Sequence, residues 1–173
     1  ALLPKKATTE NKLTLNVGGS EIALNIEGGP RGLSTEEITA WIETCARAVS
    51  GYFGNFPVKR LRLSVNLRNG SGVQGGRVNA GESPILRVTI GRHGGARTLR
   101  DDWVMVHEMV HLGFPSVEGS HRWMEEGLAT YVEPVAQARA GLISRERLWL
   151  EMVRDMPQGV PEAHEAGLNF TPT

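Results

Sequence analysis

The stretch VMVHEMVHL, residues 104–112, puts the tightest constraint on the fold. Thr98 can cap a helix here with Asp101 at the third position, and Gly113 and Pro115 stop it. The pattern therefore predicts one helix over 98–112. Val104, Met105, Val106, Met109, Val110 and Leu112 make that helix apolar nearly all round. Such a helix is stable only when it is buried, so the chain must build layers around it. His107, Glu108 and His111 lie in its middle, and these groups are costly to bury unless something binds them.

The remaining segments can supply those layers. KLTLNVGGSEIALNIE alternates apolar and polar residues about a GGS turn and reads as a β-hairpin over 12–27. Ser34 with Glu37 forms a capping box. Ile38, Trp41, Ile42, Cys45, Ala48 and Val49 follow at helical spacing, so a helix runs over 34–51 and ends at Gly51. Strands at about 59–67 and 85–91 make up a sheet region over 58–91. A helix over 121–140 follows, with Pro134 as a kink or break. In a last helix, SRERLWLEMVRDM, Trp149 and Leu150 read as core, whereas residues 158–173 show no periodicity. The 173 residues carry no internal repeat and no linker long enough to divide them, so one α+β domain is expected over 1–173.

Charge excludes some functions. The net charge is zero, which removes any global argument for nucleic acid. Residues 59–100 nevertheless hold nine Lys or Arg against one acid, Glu82. In KRLRLSVNLR the arginines alternate with Leu61, Leu63, Val65 and Leu67, as in a strand with one wet face. No apolar run is long enough to span a membrane. The single cysteine, Cys45, cannot form an internal disulfide and lies on an apolar helix stripe as core. His93 and His164 have no partner at ligand spacing and read as surface or loop residues.

GSGVQG, Gly70–Gly75, matches a dinucleotide-binding pattern and follows a strand. That pattern needs a helix to open at once, so that its N-terminal amides face a pyrophosphate. GRVNAGESP follows instead, so the segment reads as a flexible turn region.

The histidine pair is another matter. Residues four apart on a helix are offset by about 40° around the axis, so His107 and His111 can grip one metal ion. Glu108 points to a neighbouring face, clear of the ion but within reach of a water on it. Hydrolysis at zinc needs this set: two imidazoles, a base and an open position. At this composition the expected number of HExxH strings is about 0.01. A third ligand must come from elsewhere, and HRWMEEGLATYVEP offers His121, Glu125 and Glu126, with Glu118 in a loop nearby. A metzincin would need Gly and His where Phe114 and Val117 stand.

HEMVH with WMEEGLATYVE beyond it resembles the gluzincin metallopeptidases, especially the peptidase-MA-like branch and its aminopeptidase-N-like relatives. Their pattern is HExxH followed by W-x-x-E-G-x-A-x-Y on the next helix, which Trp123, Glu126, Gly127, Ala129 and Tyr131 match. The resemblance implies a zincin-like fold, a small mostly antiparallel or mixed sheet packed with helices. It also implies one Zn2+ per chain on His107, His111 and Glu126, with Glu108 as general base. Gly127 would let the two helices approach closely. The implied reaction is hydrolysis of a peptide or protein substrate, which lies extended along an edge strand within 76–90.

This sequence departs from the aminopeptidases in two places. Fourteen residues separate His111 from Glu126, fewer than in those enzymes. GGRVNAGES also stands where they carry a Gly-x-Met-Glu-Asn stretch. Their oxyanion-stabilising tyrosine has no evident counterpart. Tyr131 is five residues past Glu126, about 140° round the helix, which suits packing or an outer contact. His121 and Arg122 are the other candidates for that role. A domain that binds zinc without turnover, serving binding or regulation, is the alternative reading. A start at Ala rather than Met, with the resemblance, gives an expectation of an extracytoplasmic setting. The ending LNFTPT gives one of a missing C-terminal helical part.

Overall fold

The computed structural model describes residues 11–28, 32–115, 117 and 119–155. Glu118, His164 and the stretch 158–173 lie outside the described residues. The N-terminal hairpin forms as expected, from β1 (Asn11–Val17) and β2 (Ser20–Glu27). Gly18 and Gly19 make its two-residue turn with φ of 57° and 77°, a conformation that only glycine adopts cheaply. Helix α1 (Thr35–Phe53) has the full capping box between Ser34 and Glu37. It passes through Gly51 and ends at Gly54, which takes the left-handed conformation. The two extra residues place Phe53 in a T-shaped contact with Phe114, with ring centroids 6.0 Å apart.

Strands β3 (Arg60–Ser71), β4 (Val73–Asn79) and β5 (Ile85–His93) complete a five-stranded sheet of order β1-β2-β3-β5-β4. The sheet is mixed, one of the two forms expected, and its centre is parallel. Strands β2, β3 and β5 run parallel, while β1 and β4 are antiparallel edges. The cause is connectivity: α1 carries the chain back over the sheet between β2 and β3, which is how parallel neighbours are joined. The glycine-rich segment is also more regular than a flexible turn. Gly70 and Ser71 end β3, and Val73 to Gly75 open β4 through a shift in its register with β5.

One sheet face is covered. Ile22, Leu24, Leu61, Leu63, Val65, Leu86, Val88 and Ile90 are buried on it, with Ile38, Ile42, Cys45 and Val49 of α1 among the same core. The alternate residues Arg60, Arg62, Arg68 and Arg87 are exposed, so part of the positive excess lies on an open sheet face. The helix expected over 98–112 is instead two helices and a turn. These are α2 (Arg97–Arg100), α3 (Val104–Val110) and a 3-10 turn at His111–Gly113. The break arises because Asp102 caps α3. Its two carboxylate oxygens accept from the N–H groups of Val104 and Met105, each at 3.0 Å, while Thr98 bonds back to the Gly95 carbonyl.

Helix α4 (Arg122–Arg139) continues through a buried Pro134 without ending there. Helix α5 (Arg145–Asp155) leaves Trp149 and Leu150 64% and 72% exposed, against the reading of both as core. No helix among the described residues is long and apolar enough to cross a membrane.

Candidate metal centre

Helix α3 is as buried as its composition requires: Met105, Val106, Met109 and Val110 are at most 1% exposed. His107 is buried with them at 8%, and His111 follows at the start of the 3-10 turn. Packing of α4 against α3 brings Glu126 over both. The His107 and His111 Nε2 atoms are 3.2 Å apart, and Glu126 Oε2 lies 3.3 Å and 3.5 Å from them. Tetrahedral zinc with bonds of about 2.0–2.1 Å spaces its ligand atoms about 3.3–3.4 Å apart, so these three donors fit that ion. They are the one such group among the described residues.

The electrostatics agree with that fit. Desolvation lowers the His107 pKa, against a hydrogen bond with Glu126 that favours its charged form. Desolvation pushes Glu126 up, but the bond with His107 and the charge of His111 outweigh it, and its pKa is lowered. The balance favours a neutral imidazole facing an ionised carboxylate, the protonation states in which both donate to a metal. The outer nitrogen of His107, Nδ1, is buried and has no hydrogen-bond partner among the described residues. The Trp103 indole packs against the ring in a T-shaped arrangement, 5.3 Å between centroids at 88°.

Glu108 projects from the next face of α3 toward β4 and is half-buried. Desolvation raises its pKa, opposed by the charge of His111 and by the backbone N–H of Val78. A carboxylate raised in this way is a stronger base than a solvated one.

None of the other residues singled out in the sequence joins the cluster of three donors. Glu125 turns to the preceding loop, where it accepts from the Val117 N–H. Arg122 reaches the outer oxygen of Glu126, Nε to Oε1 3.6 Å, on the surface. His121 is exposed at the end of the 3-10 turn before α4. Tyr131 is 58% exposed and lines a cavity of about 680 Å3 that opens beside His107 and Glu126. Gly127 is exposed, and a Cβ there would meet nothing within 4 Å. It is therefore not what permits the approach of α4 to α3.

The same cavity contains two groups that the sequence reading passed over, Glu133 and Gln137, both buried and hydrogen-bonded to each other. Glu133 stands seven residues after Glu126, two turns along the same helix face, and that spacing was a usable signal.

No protein-family model matches this chain. No curated protein sequence matches it either. Solved structures do. An aminopeptidase N family protein from Idiomarina loihiensis superposes over 81% of this chain at a TM-score of 0.56 and 17% identity. A two-domain M1 zinc metallopeptidase, crystallised as a mutant bound to L-arginine, superposes over 86% at 0.51 and 15% identity. The chain has the fold of a part of these metallopeptidases. It spans only 27% and 32% of their lengths, so the likeness concerns one portion of each.

Proposed function

We propose that this chain is the catalytic portion of a zinc-dependent metallopeptidase of gluzincin type, acting on a peptide or protein substrate. The observation that carries the reading is the triangle of His107, His111 and Glu126 donors at 3.2–3.5 Å, with Glu108 beside it. His107, His111 and Glu126 would hold one zinc ion per chain and leave a position open. The ion, when bound, supplies Lewis-acid polarisation of a carbonyl and a more acidic water. Glu108 takes the proton of the attacking water and delivers it to the leaving amine as the C–N bond breaks. Strand β4 is a sheet edge next to Glu108 and offers an extended peptide a strand to pair with. Its residues Gly76–Asn79 fall within the segment expected for that role.

The test is metal content by ICP mass spectrometry on wild type, Glu108→Gln and Glu126→Ala, followed by cleavage of a peptide library. About one zinc per chain in the first two, a large loss in the third, and cleavage by wild type alone would support the reading. Zinc unaffected by Glu126→Ala would sink the ligand set. Zinc bound without any cleavage would favour a domain that binds zinc and does not turn over.

A further inference from the structure

Strand β4 does more at this site than present an edge. Gly76 and Val78 occupy the same face of the strand, the one turned to α3, while Arg77 between them is exposed. A Cβ built on Gly76 would lie 2.7 Å from Glu108 Cγ and 2.9 Å from Val104 Cγ1, both inside contact distance. The strand backbone therefore rests directly on the stem of Glu108, one helical turn beyond Val104, with no side chain between. Two residues further on, the Val78 N–H faces the Glu108 carboxylate and favours its charged form. The register gives this contact a rigid backing, because Gly76 pairs with Val88 and Val78 with Leu86, both buried in the core.

We propose that Gly76 and the Val78 N–H are positioning elements for Glu108, holding its carboxylate at one height above the helix so that it meets water at the metal site. The proposal rests on the metallopeptidase reading and adds to it a reason for glycine at position 76. A carboxylate on a three-bond stem has several rotamers. Contact with a backbone at Cγ and a donor at its tip selects among them without using another charged side chain. The edge strand that receives an extended substrate would then be the same strand that sets the base, so substrate and base share one reference frame.

Gly76→Ala tests this, with Val104→Ala and Gly76→Ala/Val104→Ala as companions. Zinc content should stay near one per chain in all three. The expected result for Gly76→Ala is a fall in kcat on the order of 10–100-fold, the scale of a misplacement of about 1 Å, with KM little changed. If the Cβ merely lifts β4 off α3, removing Val104 Cγ1 should restore both stability and kcat. If the Cβ acts through Glu108, the double variant should regain stability while kcat stays low. Restored kcat in the double variant, or unchanged kcat in Gly76→Ala, would overturn the proposal.

A second measurement needs no turnover. In the 15N–1H spectrum of the zinc-free chain, the Val78 amide should move in Glu108→Ala and in Gly76→Ala. A Val78 amide indifferent to Glu108→Ala would refute the contact, even in an active enzyme. A moved Val78 amide in a zinc-loaded chain that cleaves nothing would instead refute the peptidase reading and leave the contact standing.

Discussion

Glu133 allows a prediction independent of metal and turnover. It is 8% exposed, and desolvation raises its pKa to about 8 from an ordinary 4.5. Glu151 and Asp102 push in the same direction, while Gln137 and Arg147 oppose. The folded chain therefore keeps this proton to a higher pH than the unfolded chain does. Below about pH 4.5 both states hold it, and the group contributes nothing to stability. As pH rises from about 4.5 to about 8 the unfolded state ionises first, so stability falls through that window and levels off above it. A difference of this size corresponds to about 3–5 kcal/mol once the window is crossed.

Glu133→Gln removes the titration and keeps an oxygen for the Gln137 amide. In urea melts of the chelated protein, the variant should match wild type to within about 1 kcal/mol at pH 5. At pH 9 it should be more stable by about 3–5 kcal/mol. Groups that titrate alike in both proteins cancel in the comparison. A stability difference that does not change between the two pH values would refute the reasoning, because a carboxyl equally solvated in both states has nothing to titrate differently.

Three further expectations follow from the packing. Asp102→Ala removes the side-chain cap of α3 and should lower stability by about 0.5–2 kcal/mol. It should also weaken zinc retention in a chelator competition, since α3 carries His107 and leads directly into His111. Ile42→Ala, at a position with no exposure under α1, should cost about 2–5 kcal/mol in a denaturant melt, and a loss below that range would mean that the core closes over the gap. Cys45 is buried, and burial raises its thiol pKa far above the usual range, so it should not react with a thiol reagent until the chain unfolds. Rapid labelling of the native protein would contradict that placement.

What was legible in the sequence was set by local periodicity and local chemistry. The alternation of Leu61, Leu63, Val65 and Leu67 with arginines needs no partner to declare a half-buried strand, and the structure buries those four. Ser34 with Glu37 reads as a helix start for the same reason, and the capping box is present. The spacing of His107 and His111 is a property of any helix, so the pairing of their imidazoles needed only a helix there. Likewise, the composition of 104–112 demanded burial wherever the segment lay.

The rest depended on what lies next to what. Whether Asp102 would cap α3 and split the expected helix turned on competition between two nearby carboxylates and Thr98, which propensity does not rank. Trp149 and Leu150 fit a helical stripe, but a stripe is core only if another element covers it, and α5 exposes that face. Phe53 and Phe114 give the C-terminal turn of α1 a contact that no reading of Gly51 anticipates. Above all, the proximity of Glu126 to the two imidazoles, and of Gly76 to Glu108, joins segments 19 and 32 residues apart. A sequence states the side chains and their local spacing; distances between segments are set by how layers pack, and here that packing brings the three donors together and rests β4 on Glu108.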